Sequence, residues 1–379
     1  MIKAEDRPEI RPLTGIRGFA ALLVLMIHFS PYWSCLVPAL HGFGRLSGRG
    51  FIGVDLFFIL SGFILNYVYF DAARPGLDFG SYRSFVWHRF IRVWPVHLAT
   101  LVLLLGLVLA ARCAAYSLTG NYAWGALPFQ LTMTHAWPVT PVGSGPDPIA
   151  AFSWNYPSWS ISSEWFAYLL VFPLTWRLLH RLQQVREAAI LGIAGAVIAG
   201  WSLGLRPLPL CGCGMVCQVT MEFITGALLF QAFAGAGGIT RWCQRSATPI
   251  FVIVVAALLV APVSATPWII LLFPALLLGL TAETSWIARF FATRPALWLG
   301  RISYSVYMSQ AIVQRLLKIA LPAAHFQSSP LGLRLAVLAA TIMMIIGAGY
   351  GFYYLVETPI RVWLRRWADR RLAARLAGF

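Results

Sequence analysis

The stretch Leu13-Thr14-Gly15-Ile16-Arg17-Gly18-Phe19-Ala20-Ala21-Leu22-Leu23-Val24-Leu25-Met26-Ile27-His28-Phe29 decides the fold. It is apolar over a length that spans a bilayer, and the two ionisable side chains it keeps, Arg17 and His28, stand eleven residues apart. Eleven helical steps of about 100° return the chain to within roughly 20° of its starting azimuth and lift it by roughly 16 Å. Arg17 and His28 therefore share one helix face at different depths. Ionisable groups are expensive inside a membrane and usually face a bundle interior or a water-filled cavity, so the pair marks a functional site.

Outward from this stretch the composition is of the same kind. The 379 residues are 59% hydrophobic and only 11% charged, with a mean hydropathy of +0.73, whereas a soluble domain carries about 25% charged residues. The fold class is an all-α polytopic integral membrane protein. Apolar tracts bounded by arginine clusters or Pro/Gly turns predict ten spans: 13–30, 51–70, 93–111, 159–177, 188–204, 215–234, 249–262, 267–282, 297–320 and 333–356. The turn Ser264-Ala265-Thr266-Pro267 splits one apolar tract, which leaves nine or eleven as alternative counts; the charges favour ten. With the N-terminus inside, the inner segments hold 22 of the 29 Lys+Arg. The other seven, Arg45, Arg49, Arg112, Arg206, Arg315, Lys318 and Arg334, fall outside or near outer helix ends, where long side chains snorkel. The positive-inside rule then puts both termini in the cytoplasm. The net charge of +16 has a topological reading, which argues against a nucleic-acid role. With no clear cleavage site after it, the first apolar stretch reads as a retained helix, and residues 1–379 read as one membrane domain.

Residues 112–157 form a long outer connection with little charge and many aromatic groups: Tyr116, Tyr122, Trp124, Trp137, Trp154 and Tyr156. Two readings stand, a folded surface for an amphipathic ligand such as a sugar or lipid head group, and an interfacial aromatic belt. Counting depth from the outer side places Asp55, Glu164 and Glu222 roughly 6 to 11 Å into their helices, near the level of His28. Four helices would bring them into one layer, where a carboxylate on one ring nitrogen makes histidine a general base. The plainer alternative is helix-packing contacts or caps, since Ser162 and Ser163 flank Glu164 near a helix start. At the inner helix ends stand Arg17, Arg89, Arg92 and Arg301, a ring of guanidinium groups suited to a phosphate-bearing cytosolic ligand; the plainer reading is that inner arginines set topology.

Several tracts together carry a family resemblance. They are Leu13-Thr14-Gly15-Ile16-Arg17-Gly18 running to His28; Gly53-Val54-Asp55-Leu56-Phe57-Phe58-Ile59-Leu60-Ser61-Gly62-Phe63; Arg89-Phe90-Ile91-Arg92-Val93-Trp94-Pro95; Trp159-Ser160-Ile161-Ser162-Ser163-Glu164-Trp165-Phe166; Leu299-Gly300-Arg301-Ile302-Ser303-Tyr304-Ser305-Val306-Tyr307; and the tail Val356-Glu357-Thr358-Pro359. In this order, across nearly the whole chain, they resemble the membrane-bound acyltransferase-3 family. The resemblance implies transfer of an acyl group, most often acetyl, from cytosolic acyl-CoA to a hydroxyl on an extracytoplasmic glycan or glycolipid. It implies a multi-pass protein of the bacterial inner membrane, with no permanently bound cofactor and acyl-CoA as donor substrate. It also implies that Arg17 and His28 are the essential pair and that Arg89 and Arg92 form the donor motif. His28 is then the base for the acceptor hydroxyl or a transient acyl carrier; direct attack needs one fewer intermediate.

This chain departs from the family where many members follow the Ser-Tyr-Ser-x-Tyr motif with a histidine. Here the run is Met308-Ser309-Gln310, and Gln310 hydrogen-bonds but does not titrate. The basic tail 361–379 fits an anionic lipid surface or a helix extension. Cys211, Cys213 and Cys217 crowd one outer turn; an oxidising exterior allows two of them to pair, but their close spacing constrains the geometry, while a zinc site lacks a nameable fourth ligand. Phosphate-loop, nucleophile-elbow and metal-helix motifs are absent. The competing function is a transporter or flippase, which also places polar groups at mid-depth, usually with broken helices and inverted repeats.

Overall fold

The computed structural model describes residues 7–43, 48–73, 76–115, 122–138, 153–205 and 212–377. Its regular elements are helical, with no strand among the described residues. α1 (Arg11–Leu36), α2 (Ile52–Tyr69) and α3 (Phe79–Cys113) are followed by a short outer helix, α4 (Leu127–Leu131). Next come α5 (Trp159–Phe166) and α6 (Phe172–Leu182), joined by the π-turn Ala167–Val171, then α7 (Glu187–Ala199) and α8 (Gly212–Ala234). The last third holds α9 (Gly238–Val260), the short α10 (Thr266–Ile270), α11 (Phe273–Gly279) and α12 (Trp286–Phe291), and α13 (Arg294–Ala320). α14 (Leu331–Phe352) passes through a second π-turn, Tyr353–Glu357, into α15 (Thr358–Ala377).

Every predicted span falls on one of these helical tracts, and among the described residues seven helices, not ten, are long and apolar enough to cross a membrane. The tracts 159–177, 267–282 and 297–320 are helical but not among these seven, and several helix ends differ from the expected ones. α3 begins at Phe79 rather than 93 because Asp78 caps it, accepting the Ser81 backbone N–H at 2.9 Å and the Ser81 hydroxyl at 2.6 Å. Those bonds hold the Asp78 carboxyl below the usual carboxylate range. α9 starts at Gly238, well before 249, since Glu187 accepts the N–H groups of Ile239 and Thr240 at its first turn. The tract 267–282 divides in two because Pro274 has no N–H to continue the helix past Ile270. The tail is a helix extension of α14, and Trp367 packs on Trp87 of α3 at 5.9 Å between ring centroids.

Helix directions follow from the contacts. Gly300 of α13 meets the Thr14 carbonyl of α1, and further along Gln314 reaches His28 and Tyr32 reaches Leu321, so α1 and α13 run parallel. α3 runs with them, since the Tyr304 hydroxyl donates to the Val93 carbonyl and Asn155 bridges Thr100 and Met308. α2 opposes α1, with Gly50 against Leu23 and Ile27 and Gly53 against Ala20. α5, α6 and α8 run with α2: Phe58 meets Trp159, Ser61 meets Glu164, Gln218 meets Asp55, and Tyr67 meets Phe230. In the α2–α8 seam a Cβ on Gly62 or Gly226 would run into the backbone carbonyl of Phe223 or Ile59, so glycine alone permits the approach. α13 sits at the centre, buried without a break over 302–311, which is why its polar residues do not disqualify it as a buried helix.

Candidate active site

A cavity of about 140 Å³ lies within the bundle, walled by Arg17 of α1, Ser61 of α2, Arg89 and Arg92 of α3, Glu164 of α5, and Tyr304 and Tyr307 of α13. α3 places Arg89 and Arg92 on one face because it already runs through them, three residues apart. Arg89 donates to the Tyr69 hydroxyl at 3.0 Å, with its guanidinium 5.4 Å from that ring. Glu164 accepts the Ser61 hydroxyl at 2.6 Å and acts on Arg17 as the opposite charge, while Arg89 acts on Arg17 as a like charge. Three guanidinium groups against one carboxylate leave the chamber cationic, a setting that attracts and orients an anionic group.

Arg92 is partly committed elsewhere. It forms an ion pair with Glu357, a carboxylate only 1% exposed that also takes the Ser305 hydroxyl at 2.7 Å and faces Arg361 at 3.6 Å. Its guanidinium lies 5.5 Å from the Tyr304 ring. The π-turn Tyr353–Glu357 brings this carboxylate against Arg92 of α3. Arg301 does not line the chamber. It turns toward the N-terminal segment and pairs with Glu9 at 3.2 Å in an exposed position, so the expected ring of four arginines reduces to three.

His28 stands higher on α1. Its carbonyl accepts the Gln314 amide at 2.7 Å, and its ring lies 4.6 Å from that of Tyr156. The structure separates the layer expected of His28, Asp55, Glu164 and Glu222. Asp55 and Glu222 are fully buried in the α2–α8 seam, where Gln218 donates to Asp55 at 3.3 Å and to Glu222 at 3.5 Å. The seam begins below His28, because Gly53 already packs at the level of Ala20. Glu164 belongs to the chamber with Arg17. The depth count fails on α5 because the buried segment Ser153–Trp154–Asn155 precedes that helix, so Tyr156 rather than Glu164 reaches the level of His28.

The outer connection folds onto this level. Trp154 is fully buried and donates to the Ala123 carbonyl at 2.8 Å. Arg315, expected to snorkel, is buried instead: its Nε donates to the Tyr122 hydroxyl at 2.5 Å and it reaches the Ala311 and Trp154 carbonyls. Its guanidinium lies 5.6 Å from the Tyr156 ring. Arg49 is also buried, capping the end of α9 through the carbonyls of Ala257, Leu258 and Ala261. His97 and His135, given no role from sequence, stack with rings 5.9 Å apart and 2° from parallel. The spacing of Gln310 and Gln314, four residues apart and so on one face, was the available signal for this upper site. Tyr116, Arg45, Arg206 and Cys211 lie outside the described residues; Cys213, Cys217, Cys35, Cys113 and Cys243 are free thiols. Among the described residues no cluster of His, Cys, Asp and Glu suits a metal ion.

The sequence model described as "Acyltransferase domain" matches residues 11–352. Acyltransferase MdmB of Streptomyces mycarofaciens is 35% identical over 193 residues, 49% of this chain and 44% of that one. Protein 2 in picA locus of Rhizobium radiobacter is 34% identical over 92 residues, 24% of this chain and 42% of that one. The matches thus span less than half the length of these relatives. No solved structure matches the chain.

Proposed function

This chain belongs to the membrane acyltransferase family whose model spans residues 11–352, and we propose that it transfers an acyl group, most often acetyl, from cytosolic acyl-CoA to a hydroxyl of an extracytoplasmic glycan or glycolipid. The observation that carries the reading is the buried cationic chamber of Arg17, Arg89 and Arg92, whose upper wall, Tyr307, lies one helical turn from the level of Gln310 and two from that of Gln314, which holds His28. In this proposal the chain crosses the bacterial inner membrane ten times with both termini cytoplasmic. The alternation of α1, α3 and α13 with α2, α5 and α8 is compatible with this topology, which would put 22 of the 29 basic residues on the inner side.

In this reading Arg17 and Arg89 hold the donor's phosphates, Arg92 is steadied by Glu357, and Glu164 orients Arg17 as its counter-charge. The long thiol arm of the donor runs up the chamber toward His28. His28 accepts the proton of the acceptor hydroxyl as its oxygen attacks the thioester carbonyl; the C–O bond forms, the C–S bond breaks, and the proton passes to the departing thiolate. Asp55 and Glu222 act through the α2–α8 seam that supports the chamber.

The test is mass analysis of surface polysaccharide from cells expressing wild type or His28→Ala at matched membrane levels. Mild-alkali-labile acyl mass on sugar residues is expected with wild type and absent with the variant. Equal acylation in both would overturn the role of His28, and no acyl mass on any glycan with wild type would overturn the acceptor class.

A further inference from the structure

Gln310 is fully buried, yet neither its amide nitrogen nor its amide oxygen meets a hydrogen-bond partner among the described residues. Buried polar groups are nearly always paired, and leaving both ends of an amide unpaired is strongly unfavourable. The neighbouring groups sharpen the point. The buried hydroxyl of Tyr156 and the Oδ1 of fully buried Asn155 also lack partners.

The placement of Gln310 is fixed by the residues around it on α13. One turn further on the same face, Gln314 donates to the His28 carbonyl. One turn before it, Tyr307 lines the chamber and exchanges hydrogen bonds with Ser160 at 2.8 Å and the Pro157 carbonyl at 3.0 Å. Tyr156 lies against His28 on one side and beneath the Arg315 guanidinium on another. Gln310 therefore lies on α13 between Tyr307, which walls the chamber, and Gln314, which holds the His28 carbonyl.

The chemistry of the unpaired atoms selects the ligand. An acyl chain would leave all of them unpaired. An oxyanion would use the amide N–H but leave the amide oxygen without a donor. A hydroxyl both donates and accepts, so neighbouring hydroxyls on one ring satisfy the amide nitrogen, the amide oxygen and the Tyr156 hydroxyl together. We propose that Gln310 and Tyr156 are acceptor-binding residues that hold a polyhydroxylated sugar beside His28. The proposal rests on the acyltransfer reading for what happens to the sugar, but not for its binding.

The experiment uses the purified full chain in lipid nanodiscs, with Gln310→Met and Tyr156→Phe, a panel of methyl glycosides as probes, and acetyl-CoA as donor. Three quantities are measured: unfolding temperature without ligand, the rise in unfolding temperature with each glycoside alone, and ester formation. Gln310→Met keeps the side chain's length and removes its polar atoms. Its ligand-free unfolding temperature is expected to equal or exceed wild type, because an unpaired buried amide is removed. Its glycoside-induced rise is expected to vanish, and its KM for the glycoside to increase about tenfold with the KM for acetyl-CoA within twofold. Tyr156→Phe should weaken glycoside binding in the same direction. A fall in ligand-free unfolding temperature with glycoside binding intact would make Gln310 a structural residue and overturn the proposal, as would a wild type that binds none of the probes. Glycoside binding that depends on Gln310 without ester formation would uphold the proposal and overturn the acyltransfer reading instead.

Discussion

Arg89 and Arg92 stand three residues apart on α3 but carry different burdens. Arg92 is bound to a buried carboxylate that Ser305 and Arg361 also share. Arg89 hydrogen-bonds the neutral Tyr69 hydroxyl and lies over its ring, and it shares the chamber's carboxylate, Glu164, with Arg17, so it is less committed than Arg92 and better placed to take an incoming anion. Arg89→Ala is therefore expected to raise the KM for acyl-CoA roughly tenfold to a hundredfold, the range of a charged hydrogen bond, with the acceptor KM little changed. Arg92→Ala should instead lower the amount of folded protein, because removing one partner of a buried pair costs about 3–5 kcal/mol. Steady-state kinetics beside thermal unfolding of both variants separates the two outcomes. At this scale the relation of Arg17 to His28 was legible, since both lie on one continuous helix and spacing alone sets their geometry. The partition of Asp55 and Glu164 was not, because their levels depend on where the neighbouring segments begin, and nothing local to either residue records that.

The helical tracts were legible in position but less so in extent, and seven long apolar helices among the described residues stand beside the ten spans expected. Hydropathy located α9 from 249 onward, while its first turns carry Arg241 and Arg245 and are secured by Glu187, a capping group supplied from another helix. Caps across the bundle have no signature in the sequence they stabilise. α3 differs: Asp78 and Ser81 form a local cap that sequence spacing displays, and it was the polar inner half of the helix that concealed its start. The α2–α8 seam yields a prediction of its own. Gly226→Ala must displace the Ile59 carbonyl and is expected to destabilise the protein by about 1–3 kcal/mol, the usual effect of overpacking. The same substitution at Gly192, which faces open space, serves as the control, both read by unfolding in detergent.

Across the whole molecule, the outer segment is bonded to the bundle by a buried polar network. His97 Nε2 meets the Gln130 carbonyl at 2.7 Å, His135 Nε2 meets the Ser158 hydroxyl at 3.1 Å, and the Gln130 amide donates to the Ser153 carbonyl at 3.0 Å. Burial pushes the His135 imidazole down to about 3, and charge on His97 pushes the same way. The unfolded imidazole titrates near 6.5, so between these values the unfolded chain binds more protons than the folded one. The stability contributed by neutral His135 is complete above about pH 6.5 and is lost progressively as pH falls toward 3. Hydrogen exchange over residues 122–138 should therefore speed up as pH falls from 6.5 to 4, after correction for intrinsic exchange, and His135→Asn should flatten that dependence. No composition or periodicity pointed to this pair, because its partners come from α3, the outer segment and the start of α5, which only the fold brings together.

α14, the π-turn and α15 form a continuous helical rod over 331–377, about 70 Å long at 1.5 Å per residue and more than twice the roughly 30 Å of bilayer hydrocarbon. Such a rod behaves as a shaft. Its π-turn, Tyr353–Glu357, holds one residue more than an α-turn would; relaxing it to α geometry would turn everything beyond by about 100°. Glu357 closes that turn and faces both Arg361 and Arg92, so the register of the tail helix and the position of the carboxylate that steadies Arg92 are set by the same turn.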